Sequence, residues 1–148
     1  MVYFWRLVVQ KSSAPQSSIT NIEALRDMPL KYLPLNGTSV SDLSPLRGAP
    51  LTELQLDSSN VADLSPLANA PLIKLMLYDC RRLHDVRALA ACPTLVEVTL
   101  PAGIDPTPLR GLPNLQRISY RHDARGQPAQ TTAEFWADYD AQQAAGPK

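Results

Sequence analysis

The sequence predicts an α/β solenoid: a short parallel sheet along the concave face, short helical or 3-10 turns along the convex face, and a C-terminal capping helix. The first observation is a duplicated unit of 21 residues. Residues 30–50 read LKYLPLNGTSVSDLSPLRGAP and residues 51–71 read LTELQLDSSNVADLSPLANAP. The second is the spacing inside each unit, with Leu at the first, fourth and sixth places and an aliphatic residue at the eleventh. The third is the punctuation, an Asp, a Leu, a Ser-Pro-Leu triplet and a closing Pro at matching places. Looser copies start at Leu72 and Leu95, and a last strand-like start sits at Leu115. Self-similarity at this period marks a stacked-repeat architecture, in which one unit buries its apolar face only against its neighbours.

Residues 1–18 precede the regular pattern and are assigned to an N-terminal flap or degenerate repeat. The opening MVYFWRLVV is apolar, but Arg6 interrupts it and no positive charge precedes it. It therefore lacks the layout of a secretory signal and falls short of the roughly 20 apolar residues of a membrane span. A cytoplasmic location is expected. Ile19, Ile22 and Leu25 align with Val40, Leu43 and Leu46 and form half a repeat. Its strand half, around Val9 to Ala14, is degenerate. The N-terminal sheet edge is thus either covered by Tyr3 to Val9 or open, and open edges recruit other strands. Homodimerisation through that edge is one expectation.

The repeats occupy residues 19–120. In each, the alternating piece places Leu33 and Leu35, Leu54 and Leu56, Leu75 and Leu77, Val98 and Leu100, and Ile118 and Tyr120 inward. Thr38, Ser59 and Cys80 follow at one shared place, where short polar side chains are expected to bond to the turn backbone as an internal ladder. Ser44-Pro45, Ser65-Pro66 and Thr107-Pro108 each offer a capping residue before a Pro at the first helical position. The turns they open carry Leu46, Leu67, Leu89 and Leu109 into the core. Residues 121–148 break the pattern and form the cap: Thr131, Thr132 and Glu134 read as a helix start with a capping box. Phe135, Trp136 and Tyr139 follow at helical spacing and are expected to cover the last repeat.

The pattern LxxLxL-x-x-[T/S/C]-x-[V/L] resembles the leucine-rich-repeat family, in its short internalin-like bacterial classes. That resemblance covers roughly residues 19–120 and implies protein–protein interaction as the role. The phrases VSDLSPLRGAPLTEL and LQRISYR with PAQTTAEFWADYDAQ also resemble tails that follow kinase domains in planctomycete-type bacterial serine/threonine kinases. Only the tail is matched: the chain has no Gly-rich nucleotide loop, HRD triplet or DFG triplet, so the resemblance implies a link to kinase signalling and no kinase activity.

Fourteen basic residues balance fourteen acidic ones, which argues against nucleic-acid or anionic-membrane partners. Two Cys at opposite ends of a repeat strand make no disulfide framework. His84-Asp85 looks catalytic, yet Asp85 stands where Asp42 and Asp63 stand and is a repeat residue. His122-Asp123 lies in the exit from the last strand. Neither has a third group at ligand or triad spacing, so no enzyme, metal or cofactor is expected. Arg81, Arg82 and Arg87 read as a solvated loop.

The candidate site is the face of the sheet. One row comprises Tyr32, Glu53, Lys74, Glu97 and Arg117; the next, Pro34, Gln55, Met76, Thr99 and Ser119; the third, Asn36, Asp57, Tyr78, Pro101 and Arg121. Tyr32, Glu53, Lys74, Met76, Tyr78, Glu97, Arg117 and Arg121 are the expected partner contacts, because adaptable, aromatic and guanidinium groups dominate binding hot spots. The expected function is a non-catalytic module binding a protein or peptide. The alternative is a structural spacer or the tail of a larger protein.

Overall fold

A computed structural model describes residues 19–146; the flap or degenerate strand assigned to residues 1–18 lies outside them. Five strands, β1 (Tyr32–Pro34), β2 (Glu53–Gln55), β3 (Lys74–Met76), β4 (Glu97–Thr99) and β5 (Arg117–Ser119), form one parallel sheet in chain order. The register is the one the repeat implies, with Tyr32, Glu53, Lys74, Glu97 and Arg117 paired in line. Leu33, Leu54, Leu75, Val98 and Ile118 are completely buried beneath it.

A 3-10 turn precedes each strand, at Glu23–Leu25, Ser44–Leu46, Ser65–Leu67, Arg87–Ala91 and Thr107–Leu109. Each delivers one leucine to the core: Leu25, Leu46, Leu67, Leu89 and Leu109. The half-repeat is real, since the Ser39 N–H donates to the Ile19 carbonyl at 2.9 Å, just as Asn60 N–H does to Val40 at 3.1 Å.

The caps of these turns differ from the expectation. Ser44, Ser65 and Thr107 do not cap; the carboxylates two residues earlier do. Asp42, Asp63 and Asp105 accept from the backbone N–H of Ser44, Ser65 and Thr107 at 2.8, 2.8 and 3.0 Å, and Asp85 accepts from Arg87 N–H at 2.8 Å. The reason lies in the shortness of the turn. A hydroxyl at Ser44 would need the N–H groups of Leu46 or Arg47, which already bond to the carbonyls of Leu43 and Ser44. Pro45 offers none. The first free donor is Ser44 N–H itself, and an Asp two residues back reaches it as an Asx turn.

Beyond each strand the chain makes a left-handed step at one shared repeat place, Gly37, Ser58 and Asp79, with φ of 68°, 59° and 57°. The step aims the N–H of Gly37 at the Asp57 carbonyl and that of Ser58 at the Tyr78 carbonyl, both at 2.8 Å. Pairing thereby continues past the strand ends. Beneath it, buried Thr38 donates to the Leu35 carbonyl at 2.8 Å and the Cys80 thiol to the Leu56 carbonyl at 3.0 Å. The Ser59 hydroxyl lies 3.6 Å from the Cys80 sulfur. Cys80 and Cys92 are both free and buried.

Helix α1 (Thr132–Ala144) closes the β5 end. Thr131 and Glu134 form the expected capping box. Thr132 ties the helix to the last repeat, its N–H on the Gln116 carbonyl and its hydroxyl on the Leu115 carbonyl, each at 2.9 Å. Phe135 is buried with its ring centroid 5.2 Å from Tyr120 and 5.1 Å from Trp136. The Arg110 guanidinium stacks 4.3 Å over Trp136 and pairs with Asp140.

Candidate partner-binding face

The sheet orders the three predicted rows, but the chain itself treats their two ends differently. At the β1 end the rows are open. Among the described residues, Tyr32, Ile73 and Tyr78 are the exposed large hydrophobic residues, at 47, 48 and 43% of their accessible surface. Between them the polar side chains are tied laterally: Asn36 Nδ2 donates to Gln55 Oε1 at 2.8 Å, and Gln55 Nε2 to Glu53 Oε1 at 2.9 Å. Lys74 and Glu97 pair at 3.7 Å across β3 and β4. The third row is a ladder of its own, in which Asn36 Oδ1 accepts from Asp57 N–H at 3.0 Å and Asp57 Oδ1 from Tyr78 N–H at 2.8 Å.

At the β4–β5 end the face is occupied by residues 121–130. Asp123 starts this excursion, its carboxylate accepting from the N–H groups of Arg125 and Gln127 at 2.8 and 3.0 Å. Those bonds hold its carboxyl below the ordinary range. Asp123 N–H bonds the Gln127 carbonyl at 2.7 Å, Gly126 turns left-handed at φ 73°, and His122 and Pro128 face each other as an antiparallel bridge. The resulting small hairpin runs back over the sheet. Pro128 is buried, and its carbonyl accepts from Arg117 Nη2 and Nε at 2.6 and 2.9 Å. Arg117 also lies 3.7 Å from Asp123. His122 reaches past the two intervening strands to β2, its ring 5.2 Å from Tyr78 and its Nε2 3.0 Å from Asp57 Oδ2. The tilt of the ring leaves neither imidazole nitrogen an aligned hydrogen bond. Burial pushes the Asp57 carboxyl up, against the opposing pull of His122 and of the Tyr78 N–H.

Two expectations change. Met76, expected to project from the face, is 2% exposed, with Thr99 Oγ1 3.2 Å from its sulfur. Thr99, Ser119 and Pro101 are buried with it. Arg117 keeps its place in the charged row, but its guanidinium serves the returning segment. Tyr32, Glu53, Lys74 and Glu97 stand together as expected. Tyr78 and Arg121 lie further along, on the wall of an open groove of about 970 Å³ between residues 102–105 and α1. Across that groove Tyr120 donates to the Ile104 carbonyl at 3.0 Å, burial pushing its phenol up to about 12. Sequence reasoning placed Asp57 in the third row without singling it out as a contact, and missed His122 as a member of the face. The one available signal was Asp123 followed three residues later by Gly126, a turn pattern that sends the chain back on itself.

Among the described residues no group of three or more His, Cys, Asp or Glu side chains could hold a metal. No helix there is long and apolar enough to cross a membrane.

A parallel one-strand-per-unit sheet backed by 3-10 turns, with an inward leucine lattice, defines a leucine-rich-repeat protein. Its fold is similar to that of internalins. It is similar to internalin C2 of Listeria monocytogenes at 30% identity and a TM-score of 0.65, over 72% of this chain and 49% of that one. Similarity to internalin F of the same organism is 30% with a TM-score of 0.64, over 72% of this chain and 34% of that one. The chain thus spans half or less of the length of these relatives. No protein-family model and no curated protein matches it. The resemblance to kinase tails gains nothing from these comparisons.

Proposed function

We propose that this chain is a non-catalytic interaction module that binds a protein or peptide through the open part of its sheet face. The observation that carries the reading is the exposure of Tyr32 and Tyr78 among laterally tied polar groups on a parallel sheet. Aromatic anchors ringed by satisfied polar groups are the usual makeup of a binding hot spot. Solenoids of this kind offer such faces to partners. Two buried free thiols agree with the cytoplasmic location that forms part of the reading. Attachment to a bacterial signalling kinase would place the module where it could select a substrate or regulator.

The test is a crosslinking capture from source-cell lysate, comparing the native chain with a Tyr32→Ala/Tyr78→Ala variant of unchanged circular dichroism. A partner held by the native chain and depleted about tenfold or more by the variant is the expected result, since a hot-spot truncation costs about 2 kcal/mol or more. Equal capture by both would transfer the reading to a structural spacer.

A further inference from the structure

The hairpin of residues 121–130 fills part of the face on which a partner is expected, and it does so through contacts a peptide ligand would make. We propose that the β2–β5 part of the sheet face is a docking site for an extended peptide, and that the hairpin is its built-in occupant. This inference rests on the interaction reading and names the partner's chemistry.

The occupant defines that chemistry. Arg117 grips a backbone carbonyl, that of Pro128, through both Nη2 and Nε, with the Asp123 carboxylate alongside. Five residues before Pro128 in the same hairpin, Asp123 follows an imidazole that reaches Asp57 and lies against Tyr78. The site therefore takes a segment that presents a basic or imidazole side chain to Asp57 and Tyr78, and a carbonyl or carboxylate to Arg117. Lys74 and Glu97 neutralise one another beside it and leave Asp57 and Arg117 as its two charged poles.

The hairpin is suited to displacement. Its hold on the sheet is polar: apart from Pro128 it sends no buried side chain down, Arg121, Ala124, Arg125, Gly126 and Ala129 are exposed, and at its base Gln130 accepts from the Ile118 N–H at 3.2 Å and from the Ser119 hydroxyl at 3.3 Å. The imidazole that anchors its tip makes an ion-pair distance to Asp57 without an aligned hydrogen bond. The backbones of Asp57 and Tyr78 are held by the third-row ladder and that of Arg117 by pairing with β4, so release of the hairpin's hold on Asp57 would leave these three groups in place.

A fluorescein-labelled peptide of residues 120–130 (YRHDARGQPAQ) serves as the probe, titrated by anisotropy against the full chain and a His122→Ala/Asp123→Ala variant. The variant removes the hairpin's hold on Asp57 and Tyr78 and the carboxylate that closes its turn, while leaving Asp57, Tyr78 and Arg117 in place. It should bind the probe about tenfold tighter than the native chain, because an occupied site lowers apparent affinity by its free fraction. Adding Asp57→Asn should abolish the gain. Equal affinity for the native chain and the folded variant overturns the proposal. Should the variant not fold, native-state hydrogen exchange on the unaltered chain decides. The Ala129 and Asp123 N–H groups, bonded within the hairpin, should exchange about a hundredfold faster than Leu100 N–H in the sheet, through local opening. Exchange of all three at one rate overturns the proposal. A partner captured through Tyr32 and Tyr78 while the probe fails would sink this inference and leave the interaction reading standing.

Discussion

The aspartates that open the 3-10 turns are residues through which acid should lower stability. The backbone N–H of Ser44, Ser65 and Thr107 holds the carboxyls of Asp42, Asp63 and Asp105 below their ordinary value; for Asp85 the Arg87 side chain does so first and its N–H second. A carboxyl depressed in the folded state contributes stability that is present above its unfolded pKa, about 3.9, and is lost as pH falls through the folded value. The urea midpoint of unfolding should accordingly hold steady between about pH 5 and 7 and fall below about pH 4. Replacing all four by Asn should flatten the acid limb, and a profile unchanged by those replacements would contradict the assignment. The role of these residues was half legible. Their recurrence marked them as repeat residues bonding to local backbone, but the cap was credited to Ser44, Ser65 and Thr107, because the sequence does not display that Leu46 and Arg47 have already spent their N–H groups.

Among the elements, α1 was readable and the hairpin before it was not, for reasons of range. The capping box of Thr131 and Glu134 joins residues three apart, so its signal is local. Thr131→Ala removes a side-chain acceptor from a helix N-terminus and should cost about 1 kcal/mol, seen as a lower thermal midpoint with the sheet intact. A neutral effect would mean that the packing of Phe135 and the bonds of Thr132 hold the helix without the box. The contact of His122 with Asp57, by contrast, spans 65 positions of sequence, and no period announces it because residues 121–130 lie outside the repeat. The place of Met76 in the second row was legible; its burial beside Thr99 was not.

For the molecule as a whole, the repeat lattice supplies the stability, and the strand order was legible because each unit repeats the same instruction. Leu75 is completely buried in β3, at the middle of the sheet, with strands on both sides. Leu75→Ala should cost about 2–5 kcal/mol. Because each unit leans only on its neighbours, the loss at the centre should be felt by repeats on both sides. Chemical denaturation followed by circular dichroism and by Trp136 fluorescence should then shift in step; separated transitions would show that the two ends melt independently. The reach of His122 also works as a ruler. A spare 21-residue unit spliced between residues 50 and 51 would leave the spacing from Asp57 to β5 untouched, whereas the same unit spliced between residues 71 and 72 would carry them about 4.8 Å further apart. Growth of this array by duplication is therefore free on one side of Asp57 and forbidden on the other for as long as the hairpin keeps its grip.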